Sequence, residues 1–364
     1  MSATSGHVVG ESSLRVWGLA SGARLRRQFL RAGAVERPVE RAALLRADWV
    51  YDQAIVRGLV TAQVDSALFS DDGECVALNV GSGRLEEAAA ALEEHRAPAG
   101  VQRVALAQIA DAYDDRLRKR ELPYLMRLRP DTLPHIERRI FGGAYKGVTD
   151  AVTLYLWPAP ARVATRFCAL RGITPNQVTF ASLLLVFAVM WLFWTGRYGT
   201  GLVLAWAMTF LDTVDGKLAR VTLQSSRFGD VFDHSIDLIH PPFWWWAWIV
   251  GLPAAGFSLE QSSCVLAVIV AGYVLQRLEE GLFIACFGME MHVWQRFDSR
   301  FRLITARRNP NLVLLTVSAL AGRPDLGILA VAAWTLASLL VHAVRLAQAA
   351  LERRHGPLRS WLAS

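Results

Sequence analysis

The chain has few cysteines and no pattern that would put them to use. Its 364 residues include four, Cys75, Cys168, Cys264 and Cys286, whose spacing matches neither a metal site nor a redox pair. A disulfide framework is therefore excluded, and a reducing compartment is indicated. Internal repeats and low-complexity linkers are also lacking. Met1 to Leu14 contains no apolar core segment, so we expect no signal peptide.

Long apolar runs are scarce before about residue 150, where the chain is mixed and rich in arginine, and frequent after Val178. With 53% hydrophobic residues, 13 tryptophans and a mean hydropathy of +0.27, the composition is too apolar for an ordinary soluble protein. The net charge of +7 and pI near 9.6 suit nucleic acid, but arginine-rich cytoplasmic loops facing anionic lipid explain them better. We therefore expect membrane lipid and no nucleic acid as a partner.

The fold class that follows is an α-helical polytopic membrane protein with six transmembrane helices and an N-terminal soluble α/β domain. We divide the chain into a cytoplasmic α/β domain (1–145), an amphipathic juxtamembrane segment (146–172), a membrane domain (173–350) and a cytoplasmic tail (351–364). At ~20 residues per crossing, the apolar runs predict spans at about 178–195, 200–221, 229–250, 263–286, 310–322 and 326–347.

Charge in the loops predicts the orientation of these spans. The loops near 223–228 and 290–309 and the tail hold most of the arginines, so we place them in the cytoplasm and the protein in the inner (plasma) membrane. Four tryptophans, at 244, 245, 246 and 248, then fall near the outer end of the third span. We expect an interfacial aromatic belt there, with a stacking platform as the alternative.

In the α/β domain, alternating runs bounded by turn residues predict the local structure. Asp71-Asp72-Gly73-Glu74 is typical of a hairpin turn between strands at 67–70 and 75–80. Composition further predicts helices near 25–29, 85–94 and 108–121 and a strand at 101–107. Ahead of the first span, Thr174-Pro175-Asn176 is a favourable helix start, because proline fixes φ and threonine or asparagine can cap.

Acidic residues interrupt the apolar region between residues 212 and 237. Asp212 and Asp215 are three apart, and Asp233 and Asp237 are four apart, so each pair lies on one face of a helix. Four carboxylates directed at one place repel each other unless divalent cations neutralise them, and their oxygens suit Mg²⁺ or Mn²⁺. The alternative is a set of packing acids paired with Arg220 and Arg227. We favour a two-metal site that handles a diphosphate, because acids inside a membrane are usually functional.

The same stretch resembles the CDP-alcohol phosphotransferase family, whose signature D-x-x-D-G-x-x-A-R-x8-G-x-x-x-D-x-x-x-D it matches at every position. The resemblance implies transfer of a substituted phosphate from a CDP-alcohol, such as CDP-diacylglycerol, to an alcohol acceptor, with release of CMP, in phospholipid biosynthesis. It implies two Mg²⁺ or Mn²⁺ ions on Asp212, Asp215, Asp233 and Asp237, with Asp237 also the catalytic base. The implied CDP-alcohol contacts are Asn176, Gln177, Val178, Thr179, Gly216, Arg220 and Ser226.

Some members of this family carry a fused cytidylyltransferase-like domain, and the N-terminal part is faintly similar to one. Gly18 to Leu25 occupies the place of the nucleotide loop but lacks its Gly-x-Gly pattern and following lysine. A degenerate scaffold or regulatory domain is therefore favoured over a bifunctional enzyme that makes its own CDP-alcohol.

Charges elsewhere in the membrane domain suit a phosphorylated acceptor such as an inositol phosphate or glycerol phosphate. We assign acceptor binding to Arg277, Glu280, Arg300, Arg302 and Arg307, although Arg277 and Glu280 can equally pair with each other. A divalent-cation transporter is the remaining alternative, and the fixed Gly and Arg positions of the motif speak against it. We also expect a homodimer.

Overall fold

The computed structural model describes residues 3–37, 39–115, 117–224 and 227–363, apart from the side chains of Arg227, Phe228, Asp230 and Asp233. The chain separates into two compact units. The first comprises Met1–Tyr145, Ala169–Gly172 and Arg220–Gln224, and the second comprises Lys146–Cys168, Ile173–Ala219 and Ser225–Ser364.

The first unit is an α/β structure built on one five-stranded sheet of order β1-β4-β7-β6-β8. β7 runs antiparallel to both β4 and β6, whereas β1 pairs with β4, and β6 with β8, in parallel. The strands of this unit are β1 Thr4–Val9, β2 Arg15–Val16, β3 Leu19–Ala20, β4 Arg41–Arg46, β5 Trp49–Tyr51, β6 Ser66–Phe69, β7 Cys75–Gly81, β8 Gln102–Val104, β9 Tyr113–Asp114, β10 Lys119–Arg120 and β11 Leu125–Arg127. Its helices are α1 Ser21–Arg31, α2 Gln53–Thr61, α3 Leu85–Glu93, α4 Leu106–Ile109 and α5 Leu133–Gly143.

The sheet is covered on both faces because successive residues of each strand point to opposite sides. Along β4, Ala43 and Leu45 join the core with α1 and α2, whereas Ala42 and Leu44 join the core with α3. Burial on both faces explains why β4 reads as an apolar run rather than as an alternating one.

Most of the local predictions for this unit are confirmed. The hairpin joins β6 to β7, with Phe69 opposite Cys75 and Gly73 at φ +82°. The helix predicted at 85–94 is α3, and the one near 25–29 is α1.

The helix predicted at 108–121 is wrong. α4 ends at Ile109, and the antiparallel pair β9–β10 follows. The carboxylates of Asp111 and Asp114 accept hydrogen bonds from the backbone N–H groups of Tyr113 (3.1 Å) and Leu117 (3.0 Å). Short acidic side chains thus satisfy the backbone in a turn and compete with the helix.

The second unit is almost entirely helical. After a π-helical turn at Val152–Leu156, its helices are α6 Pro158–Arg171, α7 Pro175–Trp194, α8 Tyr198–Val221, α9 Arg227–Gly251, α10 Ser262–Phe287, α11 Arg296–Phe301, α12 Arg308–Leu320 and α13 Pro324–Glu352. The predicted start of α7 is confirmed: Thr174 caps the helix, and the Gln177 side chain accepts a hydrogen bond from Thr174 N at 2.9 Å.

Among the described residues, three helices are long and apolar enough to cross a membrane: Pro175–Trp194, Ser262–Phe287 and Pro324–His355. The other predicted spans coincide with α8, α9 and α12. α8 and α9 carry the motif acids, and α12 has only 13 residues. The membrane domain is therefore helical, whereas the count of six spans stays a prediction.

The predicted aromatic belt is wrong for three of the four tryptophans. Trp244, Trp245 and Trp248 are at most 1% exposed and lie in the core of the second unit. The indole N–H groups of Trp244 and Trp248 donate to the carbonyls of Val186 (3.0 Å) and Pro324 (3.1 Å). Because helix carbonyls satisfy the indoles, these side chains need no interfacial water.

α7 and α9 approach closely beside this aromatic cluster. A Cβ on Gly251 would lie 1.9 Å from the Phe193 carbonyl oxygen, so only glycine fits. This close approach packs the end of α7 against the end of α9 beside the aromatic cluster.

Candidate functional site

The described motif acids lie on two helices of the second unit. Asp212 and Asp215 are on α8, and Asp237 is on α9. Asp215 is 4% exposed, and the Asp212 side chain is 16% exposed. The side chain of Asp233 and the whole of Ser226 lie outside the described residues.

Arg308, at the start of α12, joins the two helices. Its Nη2 donates to Asp212 Oδ2 at 2.6 Å, and its Nη1 donates to Asp237 Oδ1. The Arg308 side chain is 13% exposed, against 39% for Asp237. One guanidinium therefore holds carboxylates from the first and last positions of the motif close together.

The start of α7 reaches the same place through Thr179. The Thr179 hydroxyl donates to Asp215 Oδ2 at 2.7 Å, and Thr179 is 4% exposed. Asn176 and Gln177 lie exposed on the first turn of this helix, whereas Val178 is buried. The structure thus brings the predicted nucleotide-contact segment to the second motif acid.

The first turn of α12 is anchored by Asp150, which sequence analysis did not identify. Its carboxylate accepts hydrogen bonds from Asn309 Nδ2 (3.0 Å), Thr153 Oγ1 (2.8 Å) and Thr153 N (3.0 Å). Burial raises the pKa of Asp150, but Arg302, Asn309 and Thr153 outweigh it and hold that pKa below its ordinary value. A charged Asp150 therefore fixes the residue that follows Arg308.

The sequence alone presents Arg308 only as one of several arginines on a cytoplasmic loop, a group that suits a phosphorylated acceptor. Its role leaves no local signal, because its partners are 71 and 96 residues away. The alternative in which Arg220 and Arg227 neutralise the acids placed the counter-charge on the motif's own helices. For Asp212 and Asp237, the structure places a counter-charge on α12, whereas the side chain of Arg227 lies outside the described residues.

Arg220, the last residue of the first motif half, belongs to the first unit. Its Nη1 donates to the Ala144 carbonyl at 3.0 Å. Beside it, Arg24 and Arg27 of α1 donate to the carbonyls of Val221 and Thr222, each at 2.7 Å. These bonds satisfy carbonyls at the end of α8 that no helical N–H reaches.

The hydrogen bond of Arg24 also concerns the hypothetical nucleotide loop, because Arg24 lies within Gly18–Leu25. Gly18, at φ +74°, lies in the turn between β2 and β3, and α1 begins at Ser21. Arg24 is only 3% exposed, and burial lowers the pKa of its guanidinium. This segment is a tight hairpin and a packed helix, and Arg24 faces backbone carbonyls.

The predicted acceptor residues fall into three settings. Glu280 accepts hydrogen bonds from Arg277 (2.9 Å) and Arg307 (2.5 and 2.6 Å), so these three form one network. Arg302 is buried and interacts with Asp150, and Arg300 is exposed. The alternative pairing of Arg277 with Glu280 is thus present.

The donor set at the motif fits a divalent cation. Asp212 and Asp237 already hold a cationic guanidinium between them, and Asp215 adds a third carboxylate on the same helix face as Asp212. Carboxylate oxygens are the ligands that Mg²⁺ and Mn²⁺ prefer. A divalent ion bound to these carboxylates would replace Arg308 as their counter-charge.

Comparison with known proteins identifies the motif region. Residues 172–297 match the family model for CDP-alcohol phosphatidyltransferase. A bifunctional IPC transferase and DIPP synthase from Rubrobacter xylanophilus is 27% identical over 204 residues, which are 56% of this chain and 44% of that protein.

Two further relatives match shorter stretches. A phosphatidylinositol phosphate synthase from Mycobacteroides abscessus is 31% identical over 114 residues, 30% of this chain and 51% of that protein. An archaetidylinositol phosphate synthase from Pyrococcus horikoshii is 40% identical over 67 residues, 18% of this chain and 35% of that protein. The chain therefore spans about half, or less, of the length of the curated relatives it matches.

Proposed function

Because residues 172–297 of this chain belong to the CDP-alcohol phosphatidyltransferase family, we propose that the protein transfers a substituted phosphate group from a CDP-alcohol to an alcohol and releases CMP. The observation that carries the proposal is the convergence of motif residues from separate helices. Asp212, Asp215 and Asp237 meet Thr179 of α7 and Arg308 of α12. This arrangement supports a polar site for a diphosphate in the helical unit.

Asp212, Asp215, Asp233 and Asp237 would hold two divalent ions, Mg²⁺ or Mn²⁺. When bound, the ions supply positive charge that neutralises the diphosphate as its bond to CMP breaks. Thr179 orients Asp215 by its hydrogen bond, and Arg308 supplies charge balance to Asp212 and Asp237. The residues at the start of α7, Asn176 to Thr179, and Gly216, Arg220 and Ser226 would contact the CDP-alcohol.

The chemical step needs one proton acceptor. Asp237 takes the proton of the acceptor hydroxyl while the hydroxyl oxygen bonds to the β-phosphorus of the donor. The bond from that phosphorus to the CMP oxygen breaks, and CMP leaves with the electron pair. Asp237 suits this role because its side chain, at 39% exposure, is more accessible to the acceptor than those of Asp212 and Asp215. Arg308 must release Asp237 before the proton can move.

A phosphorylated polyol, such as an inositol phosphate, is our proposed acceptor. Arg277 and Arg307 supply two guanidinium groups around Glu280, and Arg300 and Arg302 lie on the adjoining segment. Guanidinium groups bind phosphate through paired N–H donors. Two relatives are named phosphatidylinositol phosphate synthase and archaetidylinositol phosphate synthase, and these names favour the same class of acceptor.

The N-terminal unit is proposed as a scaffold rather than a second enzyme. The bifunctional relative from Rubrobacter keeps the alternative open. The buried Arg24 and the tight β2–β3 turn favour the scaffold, because neither offers a cradle for phosphates. Full-length protein incubated with CTP and inositol or sugar phosphates should release no pyrophosphate. Release that depends on the phosphorylated substrate would establish the bifunctional enzyme.

In the membrane, we propose six crossings with the site and the N-terminal unit on the cytoplasmic side of the plasma membrane, in a homodimer. Cysteine accessibility in sealed vesicles tests the orientation. Cys264, near the start of α10 and exposed in the structure, should react from the outer face.

The deciding experiment is CMP release by purified protein with CDP-diacylglycerol and Mg²⁺ against a panel of acceptors. The panel holds inositol phosphate, glycerol phosphate and their unphosphorylated counterparts. We expect release only with a phosphorylated acceptor. Asp325→Asn, which changes an acid outside the site, should match the parent protein, whereas Asp212→Asn should be inactive. No CMP release with any acceptor would overturn the proposal.

A further inference from the structure

A second group of metal-ligating side chains lies in the helical unit, apart from the aspartate motif. Glu280 of α10, His292 of the turn Met291–Val293 and His342 of α13 place one ligand atom each within 4.8 Å of one another. Glu279, beside Glu280, reaches His342: its Oε2 lies 3.9 Å from His342 Nδ1. Three separate elements therefore bring two imidazoles and two carboxylates together.

His342 makes this group unlike an ordinary buried ion-pair network. It is 1% exposed, and neither of its ring nitrogens has a hydrogen-bond partner within the described part of the chain. The facing Glu279 Oε2 is likewise buried and lacks such a partner among the described atoms. A buried polar atom without a partner destabilises the folded state, because it has lost its hydrogen bonds to water. Such atoms call for an explanation, and a bound ion is one.

The arginines nearby do not supply that explanation. Arg277 and Arg307 both donate to Glu280, which accounts for the charge of that carboxylate alone. They leave the Glu279 oxygen and both nitrogens of His342 unsatisfied. An imidazole needs a donor and an acceptor, or a metal on one nitrogen, to satisfy its ring.

The donor types and spacing indicate which ion fits. Imidazole nitrogen suits zinc and its transition-metal neighbours, whereas magnesium and calcium prefer oxygen alone. With Zn–N and Zn–O bonds of ~2.0–2.1 Å, ligand atoms on a tetrahedral ion lie roughly 3.3 Å apart. His292 Nε2 and Glu280 Oε1 are 3.2 Å apart, so this edge is already in place. The ligand atoms of Glu280, His292 and His342 lie within 4.8 Å of one another, so the longer distances need to shorten by up to about 1.5 Å.

We propose that Glu279, Glu280, His292 and His342 form a transition-metal site of the Zn²⁺ class, distinct from the aspartate motif, that ties α10 and α13 to the turn between them. The site does not rest on the proposed transferase activity. Because Arg307 occupies both oxygens of Glu280, it competes with the ion. Removing its charge should therefore strengthen metal binding.

The test uses full-length protein in detergent with Asp212→Asn and Asp215→Asn, which disable the aspartate site but leave this cluster intact. After chelation, Co²⁺ is titrated in, and its intense visible absorption reports a tetrahedral site, whose nitrogen ligands the histidine variants then test. We expect one Co²⁺ per chain, displaced by Zn²⁺ and not by Mg²⁺. His292→Gln and His342→Gln should each weaken binding at least a hundredfold, roughly the upper loss seen for outer-shell partners of metal ligands.

His240→Gln is the matched control, because His240 is also buried, at 4% exposure, but lies outside the cluster. It should leave Co²⁺ binding unchanged.

Arg307→Gln keeps all four ligands and should bind Co²⁺ about tenfold more tightly, since a competing charge on a ligand is removed. Absence of tetrahedral absorption, or binding unaffected by both cluster histidine variants, would overturn the site. So would an Arg307→Gln protein that binds no more tightly than its parent. CMP release assayed separately on the protein with its motif acids intact tells this failure apart from failure of the transferase proposal.

Discussion

Arg308 Nη2 lies 2.6 Å from Asp212 Oδ2, so the first acid of the motif is neutralised by a side chain from the start of α12. The same guanidinium donates to Asp237. The Arg308 guanidinium therefore holds two carboxylates together, and its hydrogen bond to Asp237 must break when Asp237 takes a proton. The arrangement makes the charge balance of the site testable.

Arg308→Gln should destabilise the metal-free protein and make its stability depend on divalent ions. Breaking a buried ion pair costs about 3–5 kcal/mol, and the exposure of Asp237, at 39%, reduces this to about 2–3 kcal/mol. Melting curves in EDTA and in Mg²⁺ measure the effect, which Mg²⁺ should largely reverse. Arg323→Gln, which breaks the more exposed pair with Asp325, is the control and should change the melting temperature little in either buffer. Equal losses in EDTA and Mg²⁺ would contradict the role of Arg308 as a counter-charge.

Asp237→Asn should reduce CMP release by about 10²–10⁴-fold, the usual contribution of a general base. Donor binding should persist, because the amide keeps the shape of the side chain. CMP release and binding of a CDP-alcohol are measured on the same preparation. Parent-level turnover by this variant would exclude Asp237 as the base.

Chelation should remove activity, and Mg²⁺ or Mn²⁺ should restore it, because clustered carboxylates need cations to bind a diphosphate. Asp212→Ala, Asp215→Ala and Asp233→Ala should each stay inactive at high metal concentration. Removing a like charge can also raise the melting temperature of the metal-free protein. We expect no such gain for Asp212→Ala, which loses the bond to Arg308, or for Asp215→Ala, which loses the bond to Thr179. Full activity after EDTA treatment is the result that would rule out the metal site.

Thr179→Val should lower CMP release about tenfold and destabilise the protein by roughly 2 kcal/mol. The reason is that a buried hydrogen bond to a charged group contributes ~1.5–3 kcal/mol, and the Asp215 acceptor is 4% exposed. Thr179→Ser keeps the hydroxyl and serves as the matched variant, which should retain most activity. The two variants are compared by steady-state kinetics and melting temperature. Similar losses in both would show that the methyl group, rather than the hydroxyl, matters.

Trp248→Ala should cost about 3–5 kcal/mol, as expected for truncation of a large side chain in a core. Its ring stacks on Tyr198 at 4.1 Å between centroids and is fully buried. Trp246, which is only partly buried, provides the comparison, and Trp246→Ala should cost clearly less. Thermal unfolding in detergent separates the two. An interfacial role for both would give equal and small losses.

The sequence by itself determined the local features whose signals lie within a few residues. The hairpin at Asp71–Glu74 and the capped start of α7 follow from turn and cap chemistry, which acts over four residues. The pairing of Asp212 with Asp215 follows from helical spacing. The same local logic failed at 108–121, where aspartates form turns in a stretch that composition assigns to a helix.

Only the tertiary structure decided what lies between distant elements. Arg308, Asp150 and the partners of His342 come from segments that no spacing rule connects, so their roles depend on how the helices pack. The tryptophans of α9 show the same limit: composition suits an interface as well as a core, and only the acceptors at Val186 and Pro324 decide between them. The residue type determines the functional group of a side chain, whereas its burial and its hydrogen-bond partners depend on the neighbours that folding brings to it.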